Sequence, residues 1–280
     1  MRAKAMQVIS ASRRTDLVAH YPDQLAARLR RLGPENVHTV VIWTKDPTNL
    51  LHHRDLRDAL RGVGQVFLHW TITGLGGTFL EPNVPLPEHQ LRLLDPVVAY
   101  LGDPRRLHWR YDPLVSARLV GRASPCLPVS SVDIALFRSL AQPLAAAGVP
   151  AVHVSFVTLY PKVVRRLAAA GAEVDELSTE ARQSFLAELS TVACEQGLTL
   201  VTCCEPDFPR QRCIDGDLLA ALHPTQEPCR TDRARGQRER CGCTVSLDIG
   251  HYLPCPNRCL YCYAHPATAR ATAQESARRA

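Results

Sequence analysis

The chain lacks any apolar run approaching the roughly 20 residues that a membrane-spanning helix needs, which argues against a helical membrane protein. Near its start the only apolar patch, residues 8–11, is too brief for the hydrophobic region of a secretory signal, so a cytoplasmic location is expected. No stretch repeats and no low-complexity tract interrupts the sequence. With 46% hydrophobic and 21% charged residues, the composition is that of an ordinary globular chain. A length of 280 residues suits one large domain with small appendages. Disulfides are a poor account of the eleven cysteines: the count is odd, the expected compartment is reducing, and most of them fall from Cys204 to Cys262. Metal ligation is the better account.

The net charge of +6 is concentrated late in the chain. Residues 230–240 carry five arginines against Asp232 and Glu239, the tail from Arg270 adds three more against Glu275, and the rest is nearly neutral. Such a segment could touch the phosphates of a nucleic acid, or could be a solvated connector.

Buried strands are predicted at 7–12, 39–43, 66–73, 107–111, 152–157 and 198–202, each a short apolar run ended by polar or proline-bearing residues. Between them, helical spacing is expected at 22–32, 55–61, 91–101, 132–147, 163–170 and 181–195, with Pro22 opening the first of these and Gly33 ending it. Alternating strands and helices mean βα units and a parallel sheet. A seventh strand is predicted at 244–249. The expected organisation is therefore a body over 1–222, a basic linker over 223–240, a C-terminal strand and cysteine-rich loop over 241–266 packed on the body, and a helical or disordered tail over 267–280.

That last strand runs into Cys255-Pro256-Asn257-Arg258-Cys259-Leu260-Tyr261-Cys262, a C-x3-C-x2-C spacing. Three thiolates within eight residues can wrap one loop around a single metal centre and leave one coordination position open, the arrangement of a centre that does chemistry. A structural zinc knuckle or plainly buried thiols are the alternatives.

This spacing, with an aromatic residue before the last cysteine, resembles the iron–sulfur motif of the radical S-adenosylmethionine (SAM) superfamily, and the run from Tyr252 to Ala264 is similar to its spore photoproduct lyase branch. The resemblance implies that Cys255, Cys259 and Cys262 hold a [4Fe-4S] cluster, that SAM chelates the fourth iron, that Tyr261 lies against the adenine, and that one electron cleaves SAM to a 5′-deoxyadenosyl radical. A reductant such as flavodoxin or ferredoxin would be the partner. Two departures from that superfamily stand out. The Gly-Gly-Glu stretch that holds the SAM amino group is missing, with Gly76-Gly77 and Glu81 a loose substitute. The cysteine loop also follows the last strand, where the superfamily places it after the first. Because strands of a parallel barrel form a ring, the expectation is a (β/α) barrel or partial barrel, radical SAM-like, with the cluster loop permuted to the C-terminus. Strand 244–249 would lie beside strand 7–12, and the tail from residue 267 would supply the next helix.

Nearly the whole chain also resembles a bacterial family called domain of unknown function 1848. Ser10-Ala-Ser-Arg-Arg-Thr-Asp16, Trp43-Thr-Lys-Asp-Pro47, Trp109-Arg-Tyr-Asp-Pro113 and Cys241-Gly-Cys-Thr-Val-Ser-Leu-Asp-Ile-Gly250 carry that resemblance.

Cys204, Cys213, Cys241 and Cys243 could close a second site for zinc or an auxiliary iron–sulfur cluster, with Cys203 competing for the place of Cys204; reduced structural thiols are the alternative. Cys126, Cys194 and Cys229 stand apart. Arg13, Arg14 and Asp16 could bind the carboxylate or amino group of SAM, although Asp16 could instead cap a turn. Lys45, Arg110, Asp112, Glu205 and Asp248 sit at comparable strand ends, as substrate or cofactor contacts or as structural ion pairs. His251 and His265 flank the loop as candidate metal ligands or proton donors. The leading functional expectation is an iron–sulfur enzyme acting through SAM on an unknown substrate. The alternatives are a non-catalytic electron-transfer, redox-sensing or zinc-binding protein and, ranked lower, photoproduct-lyase-like repair of nucleic acid.

Overall fold

Apolar runs rich in β-branched and aromatic side chains become strands throughout the computed structural model, which describes residues 6–120, 128–206 and 208–264. The strands are β1 (Gln7–Ala11), β2 (Val37–Thr44), β3 (Gln65–Thr71), β4 (Leu107–Arg110), β5 (Ser116–Leu119), β6 (Val129–Ser130), β7 (Ala151–Val154), β8 (Ala172–Val174), β9 (Thr199–Thr202) and β10 (Leu247–Asp248). The α-helices are α1 (Leu17–His20), α2 (Pro22–Leu32), α3 (Thr48–His52), α4 (Arg54–Arg61), α5 (Pro87–Leu91), α6 (Leu94–Leu101), α7 (Ile134–Ala146), α8 (Pro161–Ala169), α9 (Thr179–Glu195) and α10 (Gly216–Leu222). Cap chemistry sets several of their starts: the side chains of Asp16, Asp133 and Ser178 accept the open backbone N–H groups of α1, α7 and α9. Gly33 ends α2 with φ +78°, a conformation that side chains disfavour.

Seven strands form one sheet in the order β10-β1-β2-β3-β4-β7-β9, with every pairing parallel. β10 lies beside β1, as expected for a final strand next to the first: Leu247 pairs with Ile9 and Asp248 with Ser10. The structure shows a mixed α/β fold on this open ladder, and no pairing joins β9 to β10 among the described residues. A full barrel is therefore not shown. A second, three-stranded antiparallel sheet, β6-β5-β8, was not expected from the sequence. Its strands are two to four residues long, too short to show a period. The tail 267–280, with His265 and Cys126, lies outside the described residues.

Both faces of the large sheet are covered, as a parallel sheet requires. On one face Ile9, Val40, Ile42, Leu68, Trp70, Trp109 and Val152 meet the apolar sides of α2, α4, α6, α7 and α9. Trp109, fully buried, stacks on Phe137 of α7 with ring centroids 5.0 Å apart. Alternate residues point the other way. Val8, Val41 and Phe67 pack beneath Ile214, Leu219, Leu222, Cys241 and Cys243, so the late cysteine-bearing segment lies against the second face of the sheet. Among the described residues no helix is long and apolar enough to cross a membrane.

Candidate metal centre

The loop 255–262 leaves the edge of the sheet through Gly250, a residue that must be small: a Cβ there would stand 2.0 Å from Ser12 Oγ. From that point the end of β1 holds the chain. Thr15 Oγ1 donates to the His251 carbonyl at 2.8 Å and accepts from Leu253 N at 3.0 Å, and Tyr21 donates to the Pro254 carbonyl. His20 Nε2 lies 2.9 Å from Asn257 Oδ1, inside the loop. From the far side, Asn83 donates to the Pro256 carbonyl, and Leu260 N donates to the Leu80 carbonyl at 3.0 Å. A single guanidinium group, Arg166 Nη1 of α8, reaches the carbonyls of Cys259, Leu260 and Cys262 at 3.4, 3.0 and 2.8 Å. Arg258 takes φ +51°, a left-handed conformation uncommon outside glycine, at the turn between the first two cysteines.

Cys259 is buried and Cys255 and Cys262 are half-buried. Burial pushes the Cys259 thiol well up and the Cys255 thiol up to about 11; the Lys45 charge partly offsets this at Cys259, while Glu81 and the other two cysteines raise it further. Three soft ligands thus share one loop anchored from both sides, near enough for their charges to act on one another, though among the described residues their sulfurs do not all lie within 4.8 Å of one another. Such a set fits a cluster with one open iron.

Beneath the loop lies a polar network. Glu81, fully buried, accepts on Oε1 from Lys45 Nζ at 2.8 Å, from Thr73 Oγ1 at 2.7 Å and from the Tyr261 hydroxyl. Its other oxygen, Oε2, has no partner. Burial pulls Lys45 down, but the charges of Glu81 and Cys259 outweigh it and leave the ammonium above its ordinary value. Tyr261, expected against an adenine, is turned inward, and burial followed by the Glu81 charge holds its hydroxyl far above the usual range. The Lys45 ammonium also stands 5.8 Å from the Tyr261 ring centroid. Gly76 and Gly77 meet Glu81 through the backbone: Gly76 bridges Glu81, and Gly77 N donates to the Glu81 carbonyl at 3.0 Å.

The residues expected to hold the SAM carboxylate or amino group are engaged structurally. Asp16 caps α1 through Ala19 N and also accepts from Thr44 Oγ1 and Lys45 N at 2.9 and 2.8 Å. Arg14 pairs with Asp248 at 3.3 Å and donates to the Gly250 carbonyl at 2.7 Å. Arg13 lies 5.4 Å from the Trp43 ring centroid and donates to Gln237, with its second terminal nitrogen buried and unpartnered. Arg110 and Asp112 form an ion pair, and Glu205 accepts from Phe156 N at 3.0 Å. In the basic segment, Arg233 donates to the Cys241 carbonyl, Arg238 to the Cys203 sulfur and Arg240 to the Phe208 carbonyl. These arginines fasten the segment to the cysteine-rich region.

The sequence reading missed a histidine group. His69, His108 and His153 come from neighbouring strands and are buried, with one ligand atom from each within 4.8 Å of the others. His108 Nδ1 lies 2.8 Å from His153 Nε2, and His69 Nε2 lies 2.7 Å from the Cys213 carbonyl. The signal was present in the pairing register, since His69 stands directly opposite His108. The three ring nitrogens could take a cation. Burial lowers all three, His108 to about 4 and the other two well below their ordinary value. A histidine depressed in the fold stabilises fully above its unfolded value near 6.5 and loses that contribution as pH falls through the folded value. Stability should therefore drop between about pH 6.5 and 4, by an amount of order 3 kcal/mol for His108 alone. Denaturant titrations at pH 7 and 4.5 check this; equal midpoints would mean that the group charges without unfolding the chain.

The four residues expected to form a second site, Cys204, Cys213, Cys241 and Cys243, do converge on the second face of the sheet, and Cys203 joins them. Cys229 instead donates to the Gly216 carbonyl, and Cys194 is exposed on α9. No curated protein matches the sequence. The family model described as "Domain of unknown function (DUF1848)" matches residues 30–264, from α2 through the cysteine loop, and the chain belongs to that family.

Proposed function

We propose that the protein is a radical SAM-like iron–sulfur enzyme whose cluster sits on Cys255, Cys259 and Cys262. One observation carries the reading: the three-cysteine loop leaves the end of a strand that adds parallel to β1, so a motif last in sequence occupies the place next to the first strand. The parallel strands β10, β1 and β2 would form part of a half-barrel, and the loop crosses their carboxyl ends, where sites of parallel α/β folds collect.

A [4Fe-4S] cluster held by Cys255, Cys259 and Cys262 would, once reduced by an external donor, supply the one electron for cleavage of SAM to methionine and a 5′-deoxyadenosyl radical. The chain's own contribution is positional. Arg166, Asn83, Thr15 and Tyr21 fix the loop backbone, Lys45 places a positive charge beside Cys259, and Glu81 Oε2 is a buried acceptor suited to the amino group of SAM. Arg13, with a guanidinium nitrogen to spare, is the candidate for the carboxylate.

After anaerobic reconstitution with iron and sulfide and then reduction, the full chain should give a [4Fe-4S]⁺ EPR signal that shifts when SAM is added, and 5′-deoxyadenosine should accumulate with excess reductant. A cluster spectroscopically blind to SAM would favour the electron-transfer or sensing alternative. Tightly held zinc at the loop would remove the reading altogether.

A further inference from the structure

Five thiols that the proposed SAM chemistry does not use gather on the second face of the large sheet. Cys203 and Cys204 follow β9, Cys213 precedes α10, and Cys241 and Cys243 come from the segment before β10. The Cys203 and Cys213 sulfurs are 3.9 Å apart. The Cys213 amide lies 3.2 Å from Cys243 Sγ, and the Cys213–Cys243, Cys243–Cys241 and Cys203–Cys204 side chains are near enough to interact. The backbone is adjusted to bring them together. Cys204 takes φ +64°, and Gly242 separates its two cysteines where a Cβ would stand 2.7 Å from the Gln211 carbonyl oxygen. Gly242 N donates to that same carbonyl at 3.2 Å, and Thr244 N donates to the Ile214 carbonyl at 2.9 Å, so residues 241–244 lie against 211–214.

Several groups around these sulfurs are donors. Cys213 N and Ile214 N point at Cys243 Sγ from 3.2 and 3.5 Å, Arg238 Nη2 lies 3.2 Å from Cys203 Sγ, and Arg110 Nη1 lies 3.8 Å from Cys213 Sγ. Neutral thiols buried for packing gain little from two guanidinium groups and two amides. Anionic sulfur needs such donors, and donors of this kind tune iron–sulfur centres.

We propose that these cysteines hold a second, polynuclear iron–sulfur cluster, ligated by Cys203, Cys213, Cys243 and one of Cys204 or Cys241. A single zinc is the weaker match on geometry. Zinc–sulfur bonds of about 2.3 Å place four tetrahedral sulfurs about 3.8 Å apart all round. Here the thiols run in a string with Cys203 and Cys213 3.9 Å apart, yet among the described residues no three of them lie all within 4.8 Å of one another. A string of that extent spans more than one metal's coordination sphere.

The test removes the loop first, so that this proposal and the SAM reading fail separately. The full chain carrying Cys255→Ala, Cys259→Ala and Cys262→Ala is reconstituted anaerobically, and its iron, acid-labile sulfide and zinc are measured beside the unmodified protein. The proposal expects the triple variant to keep at least two iron and two sulfide per chain with a visible charge-transfer absorption. Adding either Cys213→Ser or Cys243→Ser should then lower that iron at least fivefold; two separate variants guard against one that fails to fold, and circular dichroism identifies such a failure. A folded triple variant without iron overturns the proposal, as does one that holds zinc without sulfide.

Discussion

Cys259→Ala will leave the protein folded while abolishing the SAM-dependent EPR shift and any formation of 5′-deoxyadenosine. Cys259 is the most deeply buried thiol of its loop, and the charges of both other cysteines and of the Lys45 ammonium act on it. Losing one of three protein ligands leaves two, too few to hold a cluster against loss to solvent and chelators. The structural cost is small by comparison: one sulfur is removed at a site whose backbone is held independently by Arg166 and by Leu260 N on the Leu80 carbonyl, about 1 kcal/mol. Thermal unfolding should therefore stay within a few degrees of the unmodified protein. Total iron should fall without vanishing, because the thiols on the second face of the sheet are untouched. Cys194→Ala, exposed on α9, is the control and should change nothing. A SAM-responsive cluster that survives in Cys259→Ala would end the assignment of this residue as a ligand.

The parts of this arrangement differ in how far they could be read from the sequence. Strands β2 and β3 were legible because a parallel strand buried on both faces is a nearly unbroken apolar run, and Val-Val-Ile-Trp at 40–43 is such a run. The place of β10 beside β1 was reached from topology alone; no residue preference marks a strand only two residues long. Helices α1 and α10 passed unnoticed, being four and seven residues long with no room for a helical period. At the site, local spacing exposed the loop cysteines. The second group, Cys204, Cys213, Cys241 and Cys243 with Cys203 competing, was named from the sequence, but that Cys203 is the one beside Cys213 depends on how distant segments cross, which spacing does not encode. For the same reason His69, His108 and His153 read as three isolated histidines until the register placed them side by side. The sequence marked Lys45 and Glu81 separately, as a strand end and as part of a glycine-rich turn, but gave no sign that they meet.

That meeting sets the largest expected change in stability. Lys45→Met should destabilise the protein by about 3–5 kcal/mol, because it leaves the Glu81 carboxylate buried without its counter-charge. The Lys45 side chain is 14% exposed and that of Glu81 1%, so water can replace little of what is lost. Thr73 and Tyr261 would still donate to Oε1, which limits the damage, and uptake of a proton by Glu81 limits it further. Glu81→Leu should cost a similar amount by stranding the ammonium and freeing Tyr261 from its acceptor. The double variant Lys45→Met/Glu81→Leu should cost clearly less than the sum, since no uncompensated charge remains, and the difference is the coupling between the two groups. Guanidinium denaturation of the four proteins measures it. Additive costs would show that the pair does not act as a unit. Coupling of 1 kcal/mol or more would show that the floor beneath the cysteine loop is built as one piece, which is what holding three thiols in a fixed geometry demands.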